Sequence, residues 1–248
     1  MIPETPARDA WGYVLGSLAG CLLWGLIFRL RPDLRRRMLW VSLLLLPLAP
    51  LGESFFLLDY WRPPLILPIW YHGMAYGGLA DLLFVFALGG IATAAYPVVT
   101  HRVARRAMWP RRWWLSLAFI VIMAGCLYFL SFAVNSIFAS MLGLLLTAVI
   151  LCAFRPDLWP SALISGGVSA LALTAVEATF SLLAPQFLRR YWLLYHTPWG
   201  ILIAGHVPLT EMLWGAAFGA AIGPLYDACV GSDPARPLRS PGAATDHQ

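Results

Sequence analysis

The chain has 248 residues, is 60% hydrophobic with a mean hydropathy of +0.73, and carries a net charge of +5. A soluble domain is ~45–50% apolar, so this composition describes an all-α integral membrane protein with almost no chain left for a soluble domain. All 17 basic residues are arginine, which excludes a retinal-binding pump, whose Schiff base needs a lysine. The charge lies in loops rather than along a basic stripe, which argues against a nucleic-acid partner.

The leader MIPETPARDA is polar and shows no cleavable signal peptide. Seven apolar segments follow, at 11–29, 38–57, 78–99, 113–133, 136–154, 160–184 and 207–230, each near the ~20 residues that cross a bilayer. Residues 187–204 hold Tyr191, Trp192, Tyr195 and Trp199 with Pro198 and Gly200. This stretch reads as an interfacial or re-entrant piece, with an eighth short span as the alternative. The tail 232–248, rich in Pro, Ser and Ala, is expected to be disordered. Cys21, Cys126, Cys152 and Cys229 lie singly inside apolar runs, which suggests neither a disulfide set nor a metal site. His72, His196 and His206 have no metal-ligand spacing. No metal and no cofactor are expected.

Arginine placement sets the expected orientation. With seven spans, the segments 29–37, 100–112 and 154–159 and the C-terminal tail share one side and hold 13 arginines; the other side holds Arg8, Arg62, Arg189 and Arg190. The positive-inside rule then puts the N-terminus outside and the C-terminus in the cytoplasm, for a multi-pass protein of the cell inner (cytoplasmic) membrane.

The sequence repeats itself. RPDL stands at 31–34 and at 155–158, an offset of 124, and Glu53 and Glu177 share that offset. Residues 78–96 align with 208–226 at an offset of 130, matching Asp81 with Glu211 and Gly89 with Gly219. The expected architecture is one membrane domain over 1–231: repeat one at 11–99, a connector helix at 113–133, and repeat two at 136–230. Four helices separate equivalent spans, so the two three-helix repeats run parallel.

On that topology Glu53, Asp81, Glu177 and Glu211 fall in one outer layer of the bilayer. A carboxylate in hydrocarbon costs ~3 kcal/mol or more, and such residues usually mark function. The bland alternatives are pairing with Arg62, Arg189 or Arg190, or helix capping. Capping suits Asp81 and Glu211 in the first turns of their helices but not Glu53 and Glu177, which lie toward C-terminal ends. Glu53 and Glu177 are therefore candidate proton-carrying acids, and Asp81 and Glu211 candidate ionised partners. Aromatics crowd the same layer. Phe56, Tyr60, Trp61, Phe84, Tyr191, Trp192 and Trp214 are candidate substrate-binding residues, because ring faces stabilise a carbocation. An interfacial aromatic belt would account for many of them.

The stretches LGESFFLLDYWRPP, GGLADLLFVFALGGI and PLTEMLWG resemble the lycopene cyclase domain of small, heterodimeric-type membrane carotenoid cyclases. The resemblance covers roughly residues 11–231, with a more distant likeness to small membrane terpene cyclases. It implies seven helices in two similar units, cyclisation of a polyene without net redox change, and a homologous partner chain as one option. The family shows two adjacent acids after a proline, whereas this chain has Thr210 before Glu211 and Ala80 before Asp81. Lycopene itself is therefore not implied as strongly as isoprenoid chemistry. Three readings follow: a carboxylate-dependent membrane isoprenoid cyclase, a non-catalytic polyene- or lipid-binding membrane protein, and a small proton-coupled transporter. No DDxxD-type motif is present, which argues against a prenyltransferase.

Overall fold

The computed structural model describes residues 7–103, 109–232 and 236–237. It is mostly helical, at 74%, with no closed sheet. The helices are α1 (Ala7–Leu30), α2 (Arg35–Leu45), α3 (Ala49–Asp59), α4 (Leu79–Val99), α5 (Trp114–Leu130), α6 (Ser136–Phe154), α7 (Trp159–Leu183), α8 (Phe187–Tyr191) and α9 (Leu209–Val230). Among the described residues six stretches are long and apolar enough to cross a membrane: Asp9–Leu30, Pro32–Asp59, Leu79–Val99, Ser136–Phe154, Pro156–Leu182 and Leu209–Val230. The connector α5 is apolar but has only 17 residues, shorter than the expected span at 113–133. Large apolar side chains face outward, among them Leu22 at 77% exposure and Phe129 at 72%. Helices satisfy their own backbone, so this surface suits lipid, and the chain is a membrane-associated protein. Apart from Ser232 and the pair 236–237, the tail expected to be disordered lies outside the described residues, as do 104–108 within the arginine-rich 100–112.

The second span is broken where the sequence breaks it. Proline at 47 has no N–H to bond the preceding turn, and the chain passes from α2 through a 3-10 turn at Leu46–Leu48 into α3. At the centre, α4 packs on α1, α2, α7 and α9, and α9 packs on α6 and α7. Glycines allow the close approaches. A Cβ on Gly89 would stand 2.5 Å from Leu45 Cδ1, with Val41 next nearest. A Cβ on Gly219 would stand 2.2 Å from the Ser165 carbonyl and 2.5 Å from Ser169 Oγ.

Arg31, Arg37 and Arg155 gather at one end. Both RPDL stretches fold alike: Pro32–Leu34 and Pro156–Leu158 are 3-10 turns, and the preceding arginine pairs with the aspartate two residues on. Arg31 Nη1 donates to the Pro97 carbonyl at 3.0 Å, and Arg155 Nη1 to the Asp227 carbonyl at 3.3 Å. Arg37 and Asp227 form an ion pair in which both side chains are almost wholly buried.

The other end is closed by loops. Two short hairpins precede α4 and α9, Trp70–Tyr71 with Met74–Ala75 and Leu202–Ile203 with Val207–Pro208. The region 187–204 is no eighth span: after the five-residue α8 it runs through turns into the second hairpin. α8 stops where Trp192 turns extended and bridges to Trp61, and Pro198 lies in the turns that follow. Phe187, fully buried, anchors this cap against the rings of Tyr13, Trp61 and Phe180.

Candidate functional site

Beneath that cap lies a cavity of about 70 Å3, lined by side chains from α1, α3, α4, α6, α7 and α9. Glu53, Glu177 and Glu211 line it, with Tyr13, Tyr60, Phe56, Phe84 and Trp214. Phe84 and Trp214 are stacked at 6.5 Å between ring centres, and Trp214 stacks in turn on Phe218 at 5.1 Å.

The carboxyl groups differ in their partners. Asp81, 1% exposed, accepts from the Gly78 N–H at 2.7 Å and from the Tyr13 hydroxyl at 2.5 Å. It thus caps α4 and meets the cavity through Tyr13. Glu211 occupies the same third position of α9, but its N-cap is Pro208, which has no N–H to offer. Its Oε1 instead accepts from the Tyr60 hydroxyl at 2.5 Å, and that hydroxyl lies 3.1 Å from Thr210 Oγ1. Glu53 Oε2 and Glu177 Oε2 are buried and have no hydrogen-bond partner. Glu53 stands close to Asp81: a Cβ on Gly77 would be 3.1 Å from Asp81 Oδ2 and 3.1 Å from Glu53 Cγ, so those atoms are at most 6.2 Å apart (twice 3.1 Å). Gly77, with φ of +94°, is required both by that backbone and by that space.

Among the described residues no arginine forms an ion pair with the cluster. Among the described residues the four ion pairs are Arg31–Asp33, Arg37–Asp227, Arg155–Asp157 and Arg190–Asp9. The pairing considered for Arg62, Arg189 or Arg190 does not occur: Arg62 donates to the Leu57 and Leu58 carbonyls, Arg190 holds Asp9, and Arg189 is in none of these ion pairs. No protein-family model, curated protein or solved structure matches the chain. The site is therefore read from its own chemistry.

Two of the aromatic candidates do not line the cavity. Tyr191 donates to Asp9 Oδ2 at 3.1 Å, and Trp192 is buried in the cap opposite Trp61. Burial and the adjacent Asp9 carboxylate push the Tyr191 hydroxyl above its usual value, which suits a structural donor. Asp59 is spent on the N-terminus of α6, where it accepts from Ser136 N–H at 2.8 Å and Ser136 Oγ at 2.5 Å. Tyr13, Ile137 and Phe180 are lining residues that the aromatic and acidic layers did not flag. Tyr13 lies six residues past the start of α1 (Ala7), and counting helix-one residues at the depth of the acids would have found it.

Proposed function

We propose that the chain is a membrane isoprenoid cyclase acting on a carotenoid-like or other linear polyene, and that its family is the one its motifs resemble. The observation that carries this is an apolar, aromatic-walled cavity holding three carboxyl groups and no cation. Buried carboxylates without counter-charge are very costly, and carboxylic acids, which carry a proton, are much less so. Glu53 and Glu177, with no donor aimed at them, are assigned as proton donors. Glu211, held by Tyr60, is assigned as the base; Asp81 acts through Tyr13 as a positioning residue.

An acid O–H adds its proton to a terminal C=C, whose π electrons form the new C–H bond. The cation left on the neighbouring carbon is captured by the π electrons of an internal C=C, which closes a C–C bond. A carboxylate then removes a proton beside the new cation, and the C–H electrons restore a C=C. One proton enters and one leaves, so the product is an isomer. The faces of Phe56, Phe84 and Trp214 stabilise the cation.

The same reading takes the chain as two parallel three-helix repeats joined by α5, seven crossings in all, with the arginine-rich end in the cytoplasm. The offset of 124 carries Val41 to Ser165 and Leu45 to Ser169, so Gly89 and Gly219 abut equivalent positions. Glu53 and Glu177, Phe56 and Phe180, Phe84 and Trp214, and Tyr13 and Ile137 are all repeat-related pairs, and all line the cavity.

Expression in a host that accumulates lycopene, followed by pigment chromatography and mass measurement, tests the function. The expected result is a ring-bearing isomer of unchanged mass. A folded, membrane-inserted protein that leaves this and other linear isoprenoid hydrocarbons unconverted overturns the cyclase reading and leaves a polyene-binding protein.

A further inference from the structure

The acid cavity is too small for the substrate that the cyclase reading requires. An apolar cavity that binds benzene is about 150 Å3, and this one is about 70 Å3. A reacting chain therefore extends beyond it. Two grooves of about 400 and 410 Å3 adjoin the cavity. They are repeat-related: Gly16 and Phe84 line the first, and their counterparts Ser140 and Trp214 line the second. The second is walled on its outer side by α5, through Phe119, Met123 and Leu127. The first, between α1, α4 and α7, has no such helix among the described residues, and its rim residues Leu15 and Ala175 are exposed.

We propose that the α1/α4/α7 groove is the lateral portal and binding site for one linear isoprenoid hydrocarbon, taken directly from the bilayer with its end in the acid cavity. This rests on the cyclase reading for the nature of the chain. Gly16, Ser17, Phe84, Val176 and Phe180 line both spaces, so the groove runs into the cavity without a break. Its lining carries no charged side chain. The hydroxyls of Ser17 and Thr179 are turned onto the carbonyls of Tyr13 and Ala175 in their own helices. The wall thus offers nothing to a phosphate or sugar headgroup. Gly16 differs from the packing glycines: a Cβ there meets only Val176 Cγ1 at 3.8 Å, ordinary contact distance. Its small size keeps the groove open instead of bringing helices together.

The test is photo-crosslinking in bilayer nanodiscs with a diazirine-bearing linear isoprenoid hydrocarbon, with labelled residues mapped by mass spectrometry. A diazirine-tailed phosphatidylcholine serves as the lipid comparison. The expected result is labelling of α1, α4 and α7 along the groove, displaced by unlabelled isoprenoid but not by phosphatidylcholine. Gly16→Leu and Ala175→Trp, which fill the groove from its floor and its exposed rim, should each lower that labelling ~10-fold. Gly125→Leu, on α5 with nothing within 4 Å, should not. Labelling elsewhere, equal displacement by phosphatidylcholine, or full labelling of both groove-filling variants overturns the portal. Because labelling is read without turnover, a labelled groove in a protein that converts nothing retains the portal and removes the cyclase. Turnover with an unlabelled groove does the reverse.

Discussion

At the scale of residues, Glu211 separates a structural from a chemical role. A capping carboxylate accepts backbone N–H groups, and Asp81 does so; Glu211 follows a proline N-cap and is held by a tyrosine hydroxyl. Glu211→Gln should therefore leave expression and thermal unfolding unchanged and lower cyclisation at least ~100-fold, the scale of lost acid–base help. Parent-like turnover in that variant would make Glu211 dispensable and return the chemistry to Glu53 and Glu177. Asp81→Ala should differ in also lowering stability, by ~1 kcal/mol through loss of the cap, which detergent-melt measurements would register. Thr210→Glu, which completes the acidic doublet of the resembled family, places a second carboxyl against the Tyr60 hydroxyl at a site only 4% exposed. The acids were legible in the sequence because carboxylates are rare in apolar runs. Tyr13 was not, because one tyrosine near the end of a first helix looks like any interfacial aromatic.

At the scale of elements, the glycines divide by what surrounds them. Gly219→Ala drives a Cβ into the Ser165 backbone, which cannot step aside, and should cost ~1–3 kcal/mol. Gly89→Ala meets the tip of Leu45, a rotatable side chain, and should cost less; unfolding midpoints of the two variants compare them directly. The spans at 78–99, 136–154, 160–184 and 207–230 were visible in the sequence because length and apolarity decide them, and the structure has helices there. The interruption at Pro47 was not anticipated, since hydropathy is blind to a missing N–H in an otherwise apolar run. The region 187–204 reads as an interfacial or re-entrant piece with an eighth short span as the alternative; its aromatics do not show what it packs on, and the structure has Phe187 against Tyr13 and Trp61.

At the scale of the whole molecule, the Arg37–Asp227 pair ties the start of α2 to the end of α9, 190 residues apart in sequence. Asp227→Asn leaves a buried guanidinium uncompensated and should cost ~3–5 kcal/mol; the double variant with Arg37→Met should recover most of it in the same unfolding assay. This pair was not foreseen, because hydropathy and repeat matching locate a charge along one helix but not the helix that faces it. The helix α5 carries the larger consequence on the two-repeat reading proposed above. A three-helix unit copied in tandem would come out upside down, and one extra crossing would restore its direction. α5, which packs chiefly on α6 and α9, flanks the two halves unequally. Two identical units associating as separate chains would be bound to mirror each other's every substitution. Fused and unequally flanked, each half could change alone, and on that reading Tyr13 opposite Ile137 is such a change. The helix that permits a duplication would thus also be what frees the two copies to diverge, leaving one of two related grooves walled by α5 and the other open at its rim.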